Sequence, residues 1–190
     1  LVESSDDDGG DVVARFNLPE NFILNVGTIE ERKNALTIVK AIKNIDTTLV
    51  LVGRETTYSD KIKEYIKKNN LDDKVIFLKG LSSKDLAITY QLATIFVYPS
   101  IFEGFGIPII EALYSKTPVI TTNSGVFPEA GGPSSLYIDP FNDIELEQKI
   151  NLLLNDSNLI REISEKGFQF VQKFNDENIA SKINKLYSEL

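Results

Sequence analysis

Short, nearly uninterrupted apolar runs alternate along the chain with longer stretches in which apolar positions recur every three or four residues. The short runs are Phe22-Ile-Leu-Asn-Val26, Thr47 to Val52, Lys74 to Leu78, Thr94 to Tyr98, Pro118 to Thr121 and Leu136 to Ile138. Runs of this length bounded by glycine or polar residues predict buried strands. Between them, Asn34 to Ile45 sets Ala35, Ile38, Val39 and Ile42 at helical spacing, with Asn34 a candidate N-cap. Tyr58 to Asn70 brings Ile62, Tyr65 and Ile66 to one face with lysines opposite, the pattern of an amphipathic helix. Ser82-Ser-Lys-Asp85 predicts a helix start leading into Leu86, Ile88, Tyr90 and Leu92. Further helices are predicted to begin near Pro108 and to span Asn142 to Asn155, Ser157 to Phe174 and Asp176 to Glu189. Gly125 to Ser135, punctuated by Pro128, Gly131, Gly132 and Pro133, reads as loop. Residues 1–17, rich in Ser, Gly and Asp and without periodicity, read as a linker or disordered tail.

Strands that alternate with helices and are apolar on both faces predict an α/β fold: a Rossmann-like, doubly wound parallel sheet of about six strands. In the order 3-2-1-4-5-6, strands one and four are neighbours whose following helices lie on opposite faces. Their carboxyl-end loops flank the crevice where such sheets bind ligands. Those loops are Gly27 to Lys33 and Pro99 to Gly106.

Composition narrows the chemistry. The chain has 190 residues, 42% of them hydrophobic, enough for one ordinary domain with a real core. It has no Cys and no His, so thiol chemistry, disulfides, zinc of the usual kinds and imidazole catalysis are excluded within it. No metal or other cofactor is expected. Glu3, Asp6, Asp7, Asp8 and Asp11 carry five of the eight net negative charges, leaving a mildly acidic body that argues against a nucleic-acid partner. No apolar run suits a membrane span or a signal peptide, so a soluble, cytoplasmic protein is expected. Met is absent as well, so Leu1 is not a translation start unless processing exposed it, and the chain reads as a piece of something longer.

The candidate chemistry sits in the two crevice loops. Gly104 and Gly106 let main-chain N–H groups approach a ligand, and the helix that begins beside them leaves donors without internal partners, an arrangement that attracts phosphate. Arg32 and Lys33 in the facing loop can neutralise a diphosphate, although an Arg-Lys pair in a loop is often only solvated surface. Glu103 and Glu111 bracket the glycine-rich turn, where carboxylates would repel phosphate unless they served another part of the ligand; sugar hydroxyls are the natural candidates. The structural alternatives are that Glu111 favours a helix dipole and that Glu103 caps a main-chain N–H. The spacing is neither that of a Walker loop nor that of a dinucleotide fingerprint.

The run Pro99-Ser-Ile-Phe-Glu-Gly-Phe-Gly-Ile-Pro-Ile-Ile-Glu-Ala112, with Val26-Gly-Thr-Ile-Glu-Glu-Arg-Lys-Asn34 some seventy residues before it, resembles the donor half of GT-B fold retaining glycosyltransferases of family 4, the glycosyl transferases group 1. The resemblance extends from about Asn21 to Phe174. It implies one Rossmann-like half of a GT-B fold, with residues 18–175 forming a domain that binds a nucleotide-diphosphate sugar. Carried over, Arg32 and Lys33 hold the diphosphate, Glu103 contacts hexose hydroxyls, and Glu111 binds ribose hydroxyls. Main-chain N–H groups at Phe105, Gly106 and Ile107 meet sugar and phosphate, beside Gly104; Leu81 meets the nucleobase, and Gly27 and Thr28 line the first loop. Arg32, Lys33 and Glu103 are the candidate catalytic residues, and no metal is implied.

The sequence departs from the family where many members place Arg after the first glycine; here that residue is Thr28. The family also has an amino-terminal acceptor domain, for which this chain has no room. That domain is the implied partner, and any peripheral membrane contact would run through it. The stripe Ile179, Ile183, Leu186 and Leu190, within residues 176–190, is expected to pack on the absent domain and to be partly exposed without it. The implied activity is transfer of a hexose, with a lean toward GDP-mannose, to a glycan or glycoconjugate, the isolated piece transferring little. The alternatives are a non-catalytic nucleotide-sugar-binding partner or regulatory domain, and a GT-B sugar-nucleotide epimerase, which would require acid–base residues not evident here.

Overall fold

A computed structural model describes residues 6–175. The six apolar runs form strands β1 (Phe22–Val26), β2 (Thr48–Val52), β3 (Val75–Leu78), β4 (Ile95–Tyr98), β5 (Val119–Thr122) and β6 (Leu136–Ile138). They make one parallel sheet in the order β3-β2-β1-β4-β5-β6. Every residue of β1, β4 and β5 is buried, as expected for central strands covered on both faces.

Alternation along each strand divides the core in two. Ile23, Leu49, Leu51, Ile95 and Val97 face helices α2 (Ala35–Ala41), α3 (Tyr58–Lys68) and α7 (Asp143–Leu154). Leu24, Val50, Phe96 and Tyr98 face α1 (Asp6–Phe16), α4 (Ser83–Leu92), α5 (Ile107–Tyr114), α6 (Phe127–Gly131) and α8 (Ser157–Val171). The helices after β1 and β4 therefore lie on opposite faces, which opens a crevice between those strands at their carboxyl ends. The β1–β2 pairing runs through Val26 and Val52, whereas the β1–β4 pairing ends at Leu24 and Phe96. Beyond that point the buried Asn25 side chain donates from Nδ2 to the Val97 carbonyl at 2.8 Å, holding the two strands together as they part.

Three expectations need correction. The amino-terminal stretch is not a tail from Asp6 onward: α1 is helical, and it packs Val12, fully buried, against the core. Its paired Gly9 and Gly10 are poor helix formers, so tertiary contacts hold it. Arg15 donates to Asp11 one turn earlier at 2.7 Å and to Asp85, near the start of α4, at 2.5 Å. Within Gly125 to Ser135, Phe127–Gly131 is a short helix, Pro128 being tolerated in its first turn. Asn34 does not cap α2 through its side chain: it adopts a left-handed conformation (φ 57°) at the end of a 3-10 turn, Glu31–Lys33. The apolar stripe at Ile179, Ile183, Leu186 and Leu190 lies outside the described residues.

Asp85 closes a capping box with Ser82, and the Arg15 guanidinium, with help from the Ser82 hydroxyl, pulls its carboxyl from the ordinary value down to about 2. A lowered folded value means that this stabilisation is present above the unfolded carboxylate pKa of about 3.9 and is lost as pH falls through about 2. In urea unfolding across a pH series, Arg15→Ala is expected to be less stable than the parent at pH 6, with the gap narrowing as pH falls from 4 to 2. A gap that stays constant would show that the ion pair does not hold α1.

Candidate functional site

The turns leaving β1, β2 and β3 extend the sheet beyond its strands. The Gly27 N–H donates to the Val52 carbonyl and the Gly53 N–H to the Leu78 carbonyl, both at 2.9 Å, and an isolated parallel bridge joins Ile29 to Glu55. A Cβ placed on Gly53 would stand 1.9 Å from the Gly27 carbonyl oxygen, so only glycine permits the approach. Together these turns shape an open cleft of 520 Å³ lined by Gly27, Thr28, Arg54, Gly80, Leu81 and Leu86, among others. The predicted residues Gly27, Thr28 and Leu81 thus share one recess.

Gly27 connects the recess to the next cluster. It has a φ of 144°, and a Cβ there would lie 3.5 Å from Lys33 Cε, so the lysine side chain runs across its bare backbone. The 3-10 turn carrying Arg32 and Lys33 is clamped to the loop after β4. The Arg32 carbonyl accepts from the Ile101 N–H at 2.8 Å and lies 3.0 Å from Ser100 Oγ, and the Arg32 guanidinium donates to the Phe102 carbonyl at 3.0 Å. Asn34, the N-cap residue of α2, donates from Nδ2 to the carbonyls of Pro99 and Pro140 at 3.2 and 2.6 Å, tying the β1, β4 and β6 exits together.

At the centre, one carboxylate oxygen takes four donors. Glu103 Oε1 accepts from Lys33 Nζ at 2.5 Å, Ser100 Oγ at 2.8 Å, and Arg32 and Tyr98 Oη at 2.9 Å each. Lys33 Nζ also donates to Tyr98 Oη at 2.5 Å. Burial by itself would raise the Glu103 pKa, but hydrogen bonds from Lys33, Ser100, Arg32 and Tyr98 outweigh it and hold the carboxyl below its ordinary range. The Tyr98 phenol moves the other way: burial and then the Glu103 charge push it well above its ordinary value, so it stays a donor. The Glu103 hydrogen bond raises the Arg32 guanidinium further.

The glycine-rich turn ends at Gly106, which takes a φ of 86° as the N-cap of α5. Among the described residues, the main-chain N–H groups of Phe105, Gly106 and Ile107 donate to no protein acceptor. A Cβ on Gly104 would meet nothing within 4 Å, so the turn is open on that side. Glu111, exposed on α5, accepts at Oε2 from Tyr90 Oη at 2.9 Å. Tyr90, Phe96 and Tyr98 form a ring column with centroids 5.3 and 5.8 Å apart, so each of the two glutamates rests on a buried phenol of one aromatic stack. Lys33 and Glu111 accordingly contact the two outer rings of the same aromatic stack, Tyr98 and Tyr90.

Comparison with known proteins fits this architecture to a family. Residues 11–170 match the model of glycosyl transferases group 1. The chain belongs to this family. It is 40% identical over 123 residues to the O-antigen chain mannosyltransferase RfbU of Salmonella typhimurium, covering 64% of this chain and 35% of that protein. An uncharacterised glycosyltransferase of Methanocaldococcus jannaschii is 34% identical over 173 residues, 90% of this chain and 48% of that protein. Among solved structures, the sucrose-phosphate synthase of Thermosynechococcus elongatus superposes with a TM-score of 0.83 at 32% identity, covering 95% of this chain and 48% of that one. The chain therefore spans about half, or less, of the length of the relatives it matches, and its sheet is one Rossmann-like half of a GT-B fold.

As a glycosyltransferase domain it carries supporting residues that periodicity did not single out as functional. Tyr98, Ser100, Asn34 and Tyr90 position the crevice loops. The available signal was Tyr98-Pro-Ser100: a phenol and a hydroxyl closing a strand that is otherwise apolar. None of the described helices is long and apolar enough to cross a membrane.

Proposed function

We propose that this chain is the donor-binding half of a retaining glycosyltransferase that moves a hexose from a nucleotide-diphosphate sugar to a glycan or glycoconjugate. The observation that carries the reading is the convergence of Arg32, Lys33 and Glu103 on one point of the crevice, beside the unpartnered N–H groups at the start of α5. Cations and helix donors suit a diphosphate; a carboxylate among them suits hydroxyl groups. GDP-mannose is the favoured donor, a preference supported by the name of the Salmonella relative.

In the reaction, the bond between the anomeric carbon and the phosphate oxygen breaks and its electron pair leaves with the nucleoside diphosphate. The acceptor oxygen forms the new bond to that carbon on the same face and passes its proton to the departing phosphate oxygen. Negative charge grows on the departing phosphate, where Lys33, Arg32 and the α5 N–H groups stabilise it. Glu103 and Glu111 accept from hexose and ribose hydroxyls respectively, while the Gly27, Thr28 and Leu81 recess receives the nucleobase. The acceptor domain and any membrane contact belong to the remainder of the protein.

Calorimetry of this chain against UDP, GDP, ADP and dTDP tests the reading without an acceptor. GDP is expected to bind most tightly, and Lys33→Ala to weaken it. Absence of binding by all four would remove the donor-site assignment; tighter binding of another nucleotide would retain the site and change the donor.

A further inference from the structure

The chemistry proposed above asks Arg32 and Lys33 to hold phosphate, yet both are engaged by Glu103. The engagement converges on a single oxygen: Oε1 receives Arg32, Lys33, Tyr98 and Ser100, all within 2.9 Å. Among the described residues, Oε2 accepts from none. Four donors around one anionic oxygen, two of them cationic, are what a phosphate oxygen would find attractive. The frame that holds them is rigid: Tyr98 and Ser100 are fully buried, and the Arg32 carbonyl is anchored by the Ile101 N–H at 2.8 Å. Glu103 sits in the turn after β4, outside any helix or strand, and is therefore the member best placed to move.

We propose that Glu103 is a built-in stand-in for donor phosphate, and that displacing it makes the crevice discriminate between a bare nucleoside diphosphate and one that carries a hexose. The inference rests on the donor-site reading above. Phosphate arriving at Lys33 and Arg32 competes with the carboxylate for the same donors, because two anions on one cation pair repel each other. The displaced carboxylate loses up to four hydrogen bonds and remains close to the incoming charge. A bare nucleoside diphosphate offers it no replacement. A nucleotide hexose does, since sugar hydroxyls are donors, so Glu103 passes from an internal set of partners to the substrate. Such an exchange favours the sugar-bearing donor over the product nucleotide.

The experiment is calorimetry of this chain and of Glu103→Gln and Glu103→Ala, each against GDP, GDP-mannose, UDP and UDP-glucose. The glutamine is nearly isosteric and the alanine removes the hydrogen-bonding group as well, so agreement between them isolates the charge. For the base that binds, both variants are expected to hold the bare nucleoside diphosphate at least tenfold more tightly than the parent. They should hold the nucleotide hexose no more tightly, raising the ratio of the two affinities tenfold or more. If the parent binds nucleotides but the variants lose affinity for both forms in parallel, or keep the parental ratio, Glu103 is a structural brace and the inference is overturned while the donor site stands. If neither parent nor variants bind any of the four compounds, the donor-site reading fails and takes this inference with it.

Discussion

Lys33→Ala in the complete enzyme is expected to lower kcat by about 10² to 10³, the loss typical of removing one preorganised group that stabilises a developing anion. The lysine is held on three sides: it crosses the bare backbone of Gly27, donates to Tyr98 and pairs with Glu103. Once Glu103 has turned to the hexose, Gly27 and Tyr98 still fix the side chain, so little further freedom is lost when the ammonium meets the leaving phosphate. Because charge on that phosphate is greater in the transition state than in the bound donor, kcat should fall by more than KM rises. Glu111→Ala supplies the contrast. Its proposed ribose contact is the same before and during bond breaking, so its KM should rise with kcat little changed. Steady-state kinetics with saturating acceptor and varied donor separate the two patterns. A Lys33→Ala enzyme within tenfold of the parental kcat would remove Lys33 from leaving-group stabilisation.

Gly53→Ala is expected to destabilise the domain by about 3 kcal/mol, the upper part of the usual range for overpacking. The added methyl would lie 1.9 Å from the Gly27 carbonyl oxygen and 2.6 Å from its carbon, both main-chain atoms of an adjacent strand exit. No rotamer change relieves a clash between a Cβ and backbone, so the β1 and β2 turns must separate. Relief by separation would widen the recess of Gly27, Thr28 and Leu81 and shift the backbone over which Lys33 lies. Stability and nucleotide affinity should consequently fall together, read by urea unfolding and calorimetry on the same preparation. Gly104→Ala is the control, since its methyl meets nothing within 4 Å and its effect on stability should stay within about 0.5 kcal/mol. Equal stabilities for the two variants would show that the Gly27–Gly53 approach is not tight.

Both results follow from loops that the sequence marks in different ways. Gly27 and Gly53 each close an apolar run, so the turns were evident, but that one glycine carbonyl blocks the other's Cβ depends on how β1 and β2 stack. Glu103 shows the same division. Its place beside two glycines and a helix start was legible, whereas its pairing with Arg32 and Lys33 joins residues about seventy positions apart. Local spacing carries no information about which rotamers meet across a crevice.

By itself, then, the sequence determined the alternation of strand and helix, the parallel sheet and the two loops that face each other. The reason is that apolar periodicity and glycine-bounded runs reflect burial and backbone geometry within a few residues. Tertiary structure alone decided that residues 6–16 form a helix on the core, that the side chain of Asn34, the N-cap of α2, ties three strand exits instead of bonding to the helix N–H groups, and that two buried tyrosines each support one of the two glutamates. Those features depend on side-chain hydrogen bonds and ion pairs between distant segments, whose strength comes from the burial and mutual placement that only the folded sheet provides.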